Sequence, residues 1–171
     1  MKVDESIVNF AVYEDGTEFL GMAEATLPEI SRITAEINGA GINGTYNAPI
    51  VGHLEAMSLT LNFKTSSKAQ YSLYENRVHT LDLRVAQQQR NPSTGEINTV
   101  SVKHVLGVTP VKLSPGKVAP ASTADGSGEY SVSYYATYID GTKVMEIDLL
   151  NFICLINGVD ELADVRKALG K

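Results

Sequence analysis

The chain has few of the residues on which disulfides, metal sites and membrane spans depend. It contains one cysteine, three histidines and no tryptophan in 171 residues. Cys154 lies in an apolar run, so an intrachain disulfide is excluded and a buried thiol is expected. No apolar stretch approaches the length of a membrane span, and the polar N-terminus does not resemble a signal peptide. We therefore expect folding in a reducing cytosol and no membrane insertion.

Clustered positive charge is also missing. The formal net charge is -6 at pH 7, and no run of Lys or Arg occurs. Specific binding of duplex DNA by phosphate neutralisation needs a cationic face, so the composition argues against it. An acidic protein can still form a wall past which a polyanion slides, because like charge prevents adhesion.

Catalytic and metal-binding patterns are absent as well. His53, His79 and His104 are far apart, and none has a neighbour at the spacing of a zinc site. Glu146 and Asp148 share one strand face, but no nucleophile or base accompanies them in the sequence. We expect no enzyme activity, no cofactor and no metal.

One stretch formally matches a dinucleotide-binding motif, G-x-G-x-x-G, at Gly39-Ala40-Gly41-Ile42-Asn43-Gly44. That motif binds a pyrophosphate only where the glycine turn opens a helix. Here the glycines run through an Asn-rich segment into Pro49 and a strand-like pattern. We interpret residues 39–49 as an exposed loop, longer than a hairpin turn needs.

The segments on either side of this loop alternate like strands with one buried face. In residues 30–37 the apolar positions are Ile33, Ala35 and Ile37, and the polar positions are Arg32, Thr34 and Glu36. In residues 54–63 the apolar positions are Met57, Leu59, Leu61 and Phe63, and the small polar ones are Ala56, Ser58, Thr60 and Asn62.

The rest of the chain reads as hairpins and two short helices. Turn signals at residues 14–17, 91–95 and 140–142 join apolar runs, and the acids of the first turn are expected to be solvated. Residues 114–128 are rich in Pro, Ala, Ser and Gly and predict a second exposed loop. The other predicted elements are strands at residues 7–13, 19–26, 81–88, 97–106, 130–139 and 144–152, a helix within 66–75, and a C-terminal helix with Asp160 as N-cap and Gly170 past its end.

Several sequence blocks resemble the major tail tube protein of contractile-tailed phages and R-type bacteriocins. The blocks keep the family's order and spacing, and together they cover a little over half of the chain. They are Leu27-Pro28-Glu29-Ile30, the motif Asn38 to Gly44, Asp140-Gly141-Thr142-Lys143-Val144-Met145-Glu146-Ile147-Asp148, Asn151, and Asn157-Gly158-Val159-Asp160. Residues 64–128 carry no block that can be assigned.

The resemblance implies a mainly β fold (β+α): one domain over residues 1–171, an antiparallel β-sandwich or barrel with a short middle helix and a C-terminal helix. It implies a structural subunit whose hexameric rings stack into the inner tail tube, with four strands per subunit in a continuous barrel. The implied partners are other copies, the sheath protein, and the baseplate and tail terminator proteins. DNA or ions would pass only as cargo, and the subunit would assemble in the bacterial cytoplasm and end in an extracellular particle.

Within this framework two sets of residues have expected places. The loop would contact the next subunit or ring through Gly39, Ala40, Gly41, Ile42, Asn43, Gly44, Thr45, Tyr46 and Asn47. The lumen would be lined by Arg32, Thr34, Glu36, Ala56, Ser58, Thr60 and Asn62. Two other functions stay open: a type VI secretion-like ring protein, and a monomeric β-barrel that binds a small ligand.

Overall fold

Antiparallel strands make up most of the computed structural model, which describes residues 1–19 and 21–171. The strands are β1 (Val3–Glu14), β2 (Thr17–Phe19), β3 (Met22–Thr26), β4 (Arg32–Ile37), β5 (Tyr46–Leu54), β6 (Met57–Phe63), β7 (His79–Arg90), β8 (Ile97–Ser114), β9 (Gly126–Ile139), β10 (Thr142–Asp148), β11 (Ile153–Ile156) and β12 (Val159–Asp160). The helices are α1 (Lys68–Ser72) and α2 (Ala163–Ala168). The predicted fold class is confirmed. Neither helix of the described chain is long and apolar enough to cross a membrane.

One large sheet folds over on itself because its longest strands change partners along their length. It runs in the order β12-β11-β10-β9-β8-β7-β1-β2, and β6 pairs with both β9 and β3. The first half of β9 pairs with β6, and its second half pairs with β10, while β8 follows both halves. A four-stranded layer, β3-β6-β9-β8, therefore faces a layer built from the other strands of this sheet. Strands β4 and β5 form a separate two-stranded sheet.

The core lies on the inner side of the four-stranded layer. The apolar residues of β6 are all buried, as their alternation predicts: Met57 is 3% exposed, Leu59 and Leu61 are 0%, and Phe63 is 1%. Residues of β7, β8 and β9 complete the same apolar cluster. The core thus draws on segments that are far apart in the chain.

The predicted hairpins are confirmed. Asp15 and Gly16 have φ angles of 49° and 79°, and Asp140 and Gly141 have 48° and 80°. Two successive positive φ angles define the type I′ turn, whose twist matches that of the flanking strands. The hairpin of β7 and β8 also forms, and β8 extends to Ser114.

Several boundaries differ from the prediction; the strand predicted at 144–152, for example, ends at Asp148. The predicted strand 19–26 is divided between β2 and β3, which pair with different strands, and Leu20 lies outside the described residues. The loop predicted at 114–128 ends earlier, because Gly126 and Gly128 are buried within β9. A Cβ at Gly128 would lie 2.5 Å from the Tyr130 hydroxyl, so the close packing there requires glycine. Local composition marks flexible residues but does not distinguish a glycine needed for packing.

The C-terminal helix begins later than predicted. Asp160 lies in β12, and Leu162 occupies the N-cap position without a side-chain capping bond. The Asp160 carboxylate instead accepts a hydrogen bond from the Leu162 amide at 3.1 Å and pairs with Arg166, which lowers the Asp160 pKa. Gly170, with a φ of 72°, follows the helix as expected.

A buried polar cluster joins β1 to β7, although the acids of the first turn were expected to be solvated. Glu14 is only 6% exposed and His79 is fully buried. His79 Nδ1 lies 2.7 Å from Glu14 Oε1, and Nε2 lies 2.9 Å from the Glu75 carbonyl oxygen. Arg77 Nη1 is 2.8 Å from the same carboxylate oxygen of Glu14. The prediction of a solvated Glu14 was wrong because β7 covers it.

Glu14→Ala should lower the free energy of unfolding by about 2 kcal/mol, because it leaves Nδ1 of the buried His79 ring without its hydrogen-bond partner. Chemical denaturation of the two proteins would measure the difference. Glu18→Ala is the matched control, since Glu18 is an exposed acid in the same hairpin. Equal losses in both variants would show that the buried cluster adds nothing specific.

Candidate inter-subunit surfaces

The outer side of the four-stranded layer is a polar face of three rows, in which most side chains are short and uncharged. Directly opposite residues on adjacent strands share a side of the sheet. The rows are Glu24, Asn62, Ser127 and Ser114; Thr26, Thr60, Glu129 and Lys112; and Ser58, Ser131 and Thr109. We call these residues the polar face. Each of them is exposed or half-buried.

Only part of the polar face follows from the sequence alone. Ser58, Thr60 and Asn62 lie where their alternation places them, opposite the buried side of β6. The contributions of β8 and β9 were not predicted. Ser131 alternates with the buried Tyr130 and Val132, and that alternation was a usable signal. That alternation does not indicate, however, that β9 pairs with β6.

The four-stranded layer ends in two unlike open edges. Among the described residues, strand β3 pairs only with β6, so its other side is open. At the opposite edge, the pairing of β8 with β7 stops at Val108, opposite His79. Residues 109–114 therefore have no strand partner on that side among the described residues. Because the four strands are successively antiparallel, β3 and β8 run in opposite directions.

Strands β4 and β5 form a hairpin with one apolar side, which the structure leaves exposed. The alternation correctly groups Ile33, Ala35 and Ile37, but the burial expected for them is not found: Ile33 is 40% and Ile37 is 39% exposed. Across the pair, Tyr46 is 57% and Ile50 is 37% exposed. A lone two-stranded hairpin is marginally stable in water, and exposed apolar groups of this kind mark interaction surfaces.

The loop between these strands is shorter than predicted. Tyr46 pairs with Ile37, so the turn covers residues 38–45, and the predicted loop residues 46–49 belong to β5. Residues 46–49 were predicted as loop because strands rarely contain residues such as Pro49 and Gly52. Strands β4 and β5 pair as a hairpin. The glycine-rich turn between them leads into a strand and not into a helix. Residues 39–47 are all exposed.

Arg32 was expected on the polar face but does not lie there. It is directly opposite Leu54, which packs against the core, and it makes a two-point ion pair with Glu161 at 2.7 Å for each bond. The alternation of β4 and β5 does not continue in phase into β6, because residues 55 and 56, between β5 and β6, are not part of a strand. Thr34 and Glu36 share the side of Arg32 on β4, so they too are separated from Ser58. Glu36 interacts with Asn38 at 3.5 Å, not with Arg32.

The Arg32–Glu161 pair attaches the hairpin to the C-terminal segment. Hydrogen bonding from the Arg32 guanidinium lowers the pKa of the Glu161 carboxyl. Beside it, a Cβ at Gly52 would lie 2.1 Å from Leu162 Cδ2, so β5 and the start of α2 are in close contact. Cys154 is buried next to Glu161, as its apolar surroundings predict, and burial raises the pKa of its thiol.

The groups considered for catalysis form bonds within the fold. Glu146 accepts a hydrogen bond from Tyr134 Oη at 3.1 Å and pairs with Lys143. Burial, then the bond to Glu146, raises the pKa of Tyr134 to about 12. Asp148 accepts from the Leu150 amide at 3.1 Å and so closes the turn after β10. Among residues 1–19 and 21–171, no group of three or more metal-binding side chains is assembled.

Comparison with known proteins gives consistent matches over most of the chain. Residues 4–170 match the family described as "Phage tail tube protein FII". The tail tube protein of Escherichia phage P2 is 27% identical over 164 residues, with 93% of this chain and 93% of that protein covered. The major tail tube protein of Serratia phage KSP20 is 23% identical, with 99% of this chain and 98% of that protein covered.

A similar fold occurs in a solved assembly. A chain of the sheath–tube complex of an extracellular contractile injection system, in its extended state, aligns with a TM-score of 0.53. The alignment covers 76% of this chain and 88% of that chain at 14% identity. The likeness is one of fold.

Proposed function

This chain belongs to the phage tail tube protein FII family, and from that premise we propose that its copies join edge to edge into rings that stack as a tube. As a member of that family it is a structural subunit of a tail tube and not an enzyme. Its place is in an extracellular phage or phage-like particle. The family match favours this function over the type VI ring protein and the ligand-binding barrel.

The observation that carries the ring proposal is the pair of unlike open edges. A contact between two different edges is heterologous, and repeated copies then close into a ring if the rotation allows it. Strand β3 of one copy would lie beside residues 109–114 of the next. Because β3 and β8 run in opposite directions, every junction would be antiparallel, and no strand edge of the layer would stay open.

The ring size that the family resemblance implies is six copies, and its geometry is feasible. Four strands from each of six copies give about 24 strands; at ~4.8 Å spacing and ~40° tilt the barrel radius is ~24 Å. After side chains are added, the channel is wider than a DNA duplex. The six-fold ring is thus our proposal for the oligomer.

We place the polar face on the lumen side of this barrel, because its opposite side is already filled by the core. Ser58, Thr60 and Asn62 keep the lumen role that their sequence pattern suggested, and Ala56 adjoins them. Arg32, with its partner Glu161 in the same chain, is left out, as are Thr34 and Glu36. Most side chains of the polar face are short and uncharged, and its carboxylates, Glu24 and Glu129, outnumber its one cation, Lys112, so DNA or ions would pass without adhesion.

The remaining partners follow from the tail architecture. We propose that the tube contacts the sheath protein on its outside and the baseplate and terminator proteins at its ends. The structural relative named above comes from a sheath–tube complex, which supports the first of these contacts. The exposed segment Gly39 to Asn47 is proposed to contact another copy.

Paired cysteines at the two edges test the ring directly. With Cys154→Ala as background, Lys112→Cys would be combined with Thr26→Cys and, separately, with Glu24→Cys, because barrel shear shifts the rows between copies. Oxidation of assembled protein should give a ladder of linked species that ends at six subunits, read on a non-reducing gel.

Each single-cysteine variant is the control and should give no ladder, because the two edges are different. Linked dimers from a single variant would indicate a two-fold contact and contradict the heterologous ring. Failure of both pairs to link, in protein that electron microscopy shows to be tubular, would contradict the edge assignment.

A further inference from the structure

A second unfilled surface lies at the other end of the hairpin, between β5, the turn after β10, and α2. It is a groove of about 360 Å³. Its apolar lining includes Val51, Leu149, Phe152, Ile153, Val165 and Leu169, and its polar lining is His53, which is exposed, and Asp148. Val51 is 58% exposed and Leu169 is 57% exposed, although both are apolar. Exposed apolar groups gathered in a concave site indicate a binding surface.

The groove offers little for a charged ligand. Its one carboxylate, Asp148, already accepts bonds from the amides of Leu150 and Asn151 and from Asn151 Nδ2. The matching occupant is therefore an apolar segment without charge. Such a segment would exclude water from the groove without having to bury an unpaired ion.

The hairpin tip of this same chain has that chemistry. Residues 38–45 contain no charged side chain. Ile42 is 44% exposed at the apex, where its amide donates to the Gly39 carbonyl at 3.1 Å. Gly39, Gly41 and Gly44 have φ angles of 139°, 88° and 118°, and their Cβ positions would meet no neighbouring atom. The tip is thus narrow, apolar at its apex and free of bulky side chains.

The tip does not reach the groove of its own chain. Val51 lines the groove, and Tyr46, which follows the turn at the start of β5, is five residues back along that strand. At about 3.3 Å per residue these positions are roughly 16 Å apart. The strand leads from one to the other, so the tip and the groove lie at opposite ends of the hairpin.

Charges at the two surfaces are complementary. Lys171 Nζ lies 4.2 Å from the ring centroid of Phe152, at the rim of the groove. Lys167 is exposed on α2 beside it. The exposed acid Glu36 lies on β4, just below the tip. A tip entering the groove would bring Glu36 towards these two lysines.

From these features we propose that the hairpin tip of one copy inserts Ile42 into the groove of a copy in the adjacent ring. A tip and a groove at opposite ends of one element make a heterologous contact that does not close, and such contacts build an open stack. The inference rests on the proposed ring assembly and names the contact that joins one ring to the next.

A direct test links the two surfaces covalently. In the Cys154→Ala background, Ile42→Cys combined with Leu169→Cys should give linked species larger than six subunits when tubes are oxidised. Neither single variant should do so. Absence of these species in tubes confirmed by electron microscopy would overturn the inference.

A second test separates stacking from ring formation. Ile42→Asp places a charge in the apolar groove, so tubes should be lost while the edge-cysteine ladder still ends at six. Val118→Asp is the matched control, since Val118 is 104% exposed in another loop, and it should form tubes normally. Adding Leu169→Lys to Ile42→Asp should restore tubes by pairing the new charges.

The two proposals fail in different ways. Tubes of normal length from Ile42→Asp would overturn the tip-in-groove contact and leave the ring intact. Loss of the six-subunit ladder in protein with an unmutated tip would count against the ring proposal. Thermal unfolding of Ile42→Asp should match that of the unmutated chain, because Ile42 is exposed within one copy.

Discussion

Leu61→Ala should lower the free energy of unfolding by about 3 kcal/mol, the cost of a cavity in a core that cannot collapse to fill it. Leu61 is 0% exposed at the middle of β6. Its cross-strand neighbours are Ala25 on β3 and Gly128 on β9, and neither has a side chain that could move into the space. Denaturant titration monitored by circular dichroism would measure the loss.

The adjacent residue provides the control for this prediction. Asn62→Ala removes a half-buried side chain from the polar face and should change the free energy of unfolding by less than about 0.5 kcal/mol. A similar loss in both variants would mean that the two sides of β6 are not distinguished as the structure shows. Leu61→Ala should also reduce tube yield, because fewer subunits are folded at a given concentration.

A cysteine on the polar face should become inaccessible to large reagents when tubes form. Ser58→Cys, in the Cys154→Ala background, is exposed in a single copy and should react with a polymer-linked maleimide. In tubes that reaction should all but stop, because a polymer cannot enter the lumen through the wall. A small maleimide should still react, because it diffuses in from the ends.

The pair of reagents separates the possible positions of Ser58. Unchanged reaction with both would place the polar face on the outside of the tube and contradict the lumen assignment. Loss of reaction with both would place Ser58 within a subunit interface. Ser93→Cys, at the turn between β7 and β8, gives a comparison from an exposed residue outside the four-stranded layer.

The exposed apolar side of the hairpin of β4 and β5 shows why this protein would work as several copies together. Within one chain, the side of the hairpin that contains Ile33, Ile37 and Tyr46 is exposed to solvent, although the fold buries apolar residues elsewhere. A protein working as a monomer would keep such a surface small. An assembling subunit instead leaves it uncovered until neighbouring copies are present.

Much of the local structure could be predicted because it depends on near neighbours. The alternation in β6 correctly divided Leu61 from Asn62, since successive side chains of any strand point to opposite sides. The Asp15-Gly16 and Asp140-Gly141 turns were readable because few other residues adopt two positive φ angles in a row. The motif blocks, taken together, pointed to the family that the comparison identified.

The errors arose where a distant segment decides the outcome. Glu14 is buried by His79, which lies 65 positions away in the chain. Arg32 lies away from the polar face because residues 55 and 56 interrupt the strands and because it pairs with Glu161. The alternation of residues 30–37 indicates neither of these. Strand β5 was missed because Pro49 and Gly52 are rare in strands, although an open hairpin edge tolerates both.

The sequence by itself determined the antiparallel β class, the buried side of β6, the turns and the family. The first three depend on side-chain period and backbone preference within a few residues, and the family on the resemblance of the motif blocks. Only the tertiary structure decided which strands share the polar face, where the layer's two edges stay open, and that a groove lies beside α2. Those features depend on which distant segments pair, and pairing is settled by the combined burial of the whole core and not by any single stretch of it.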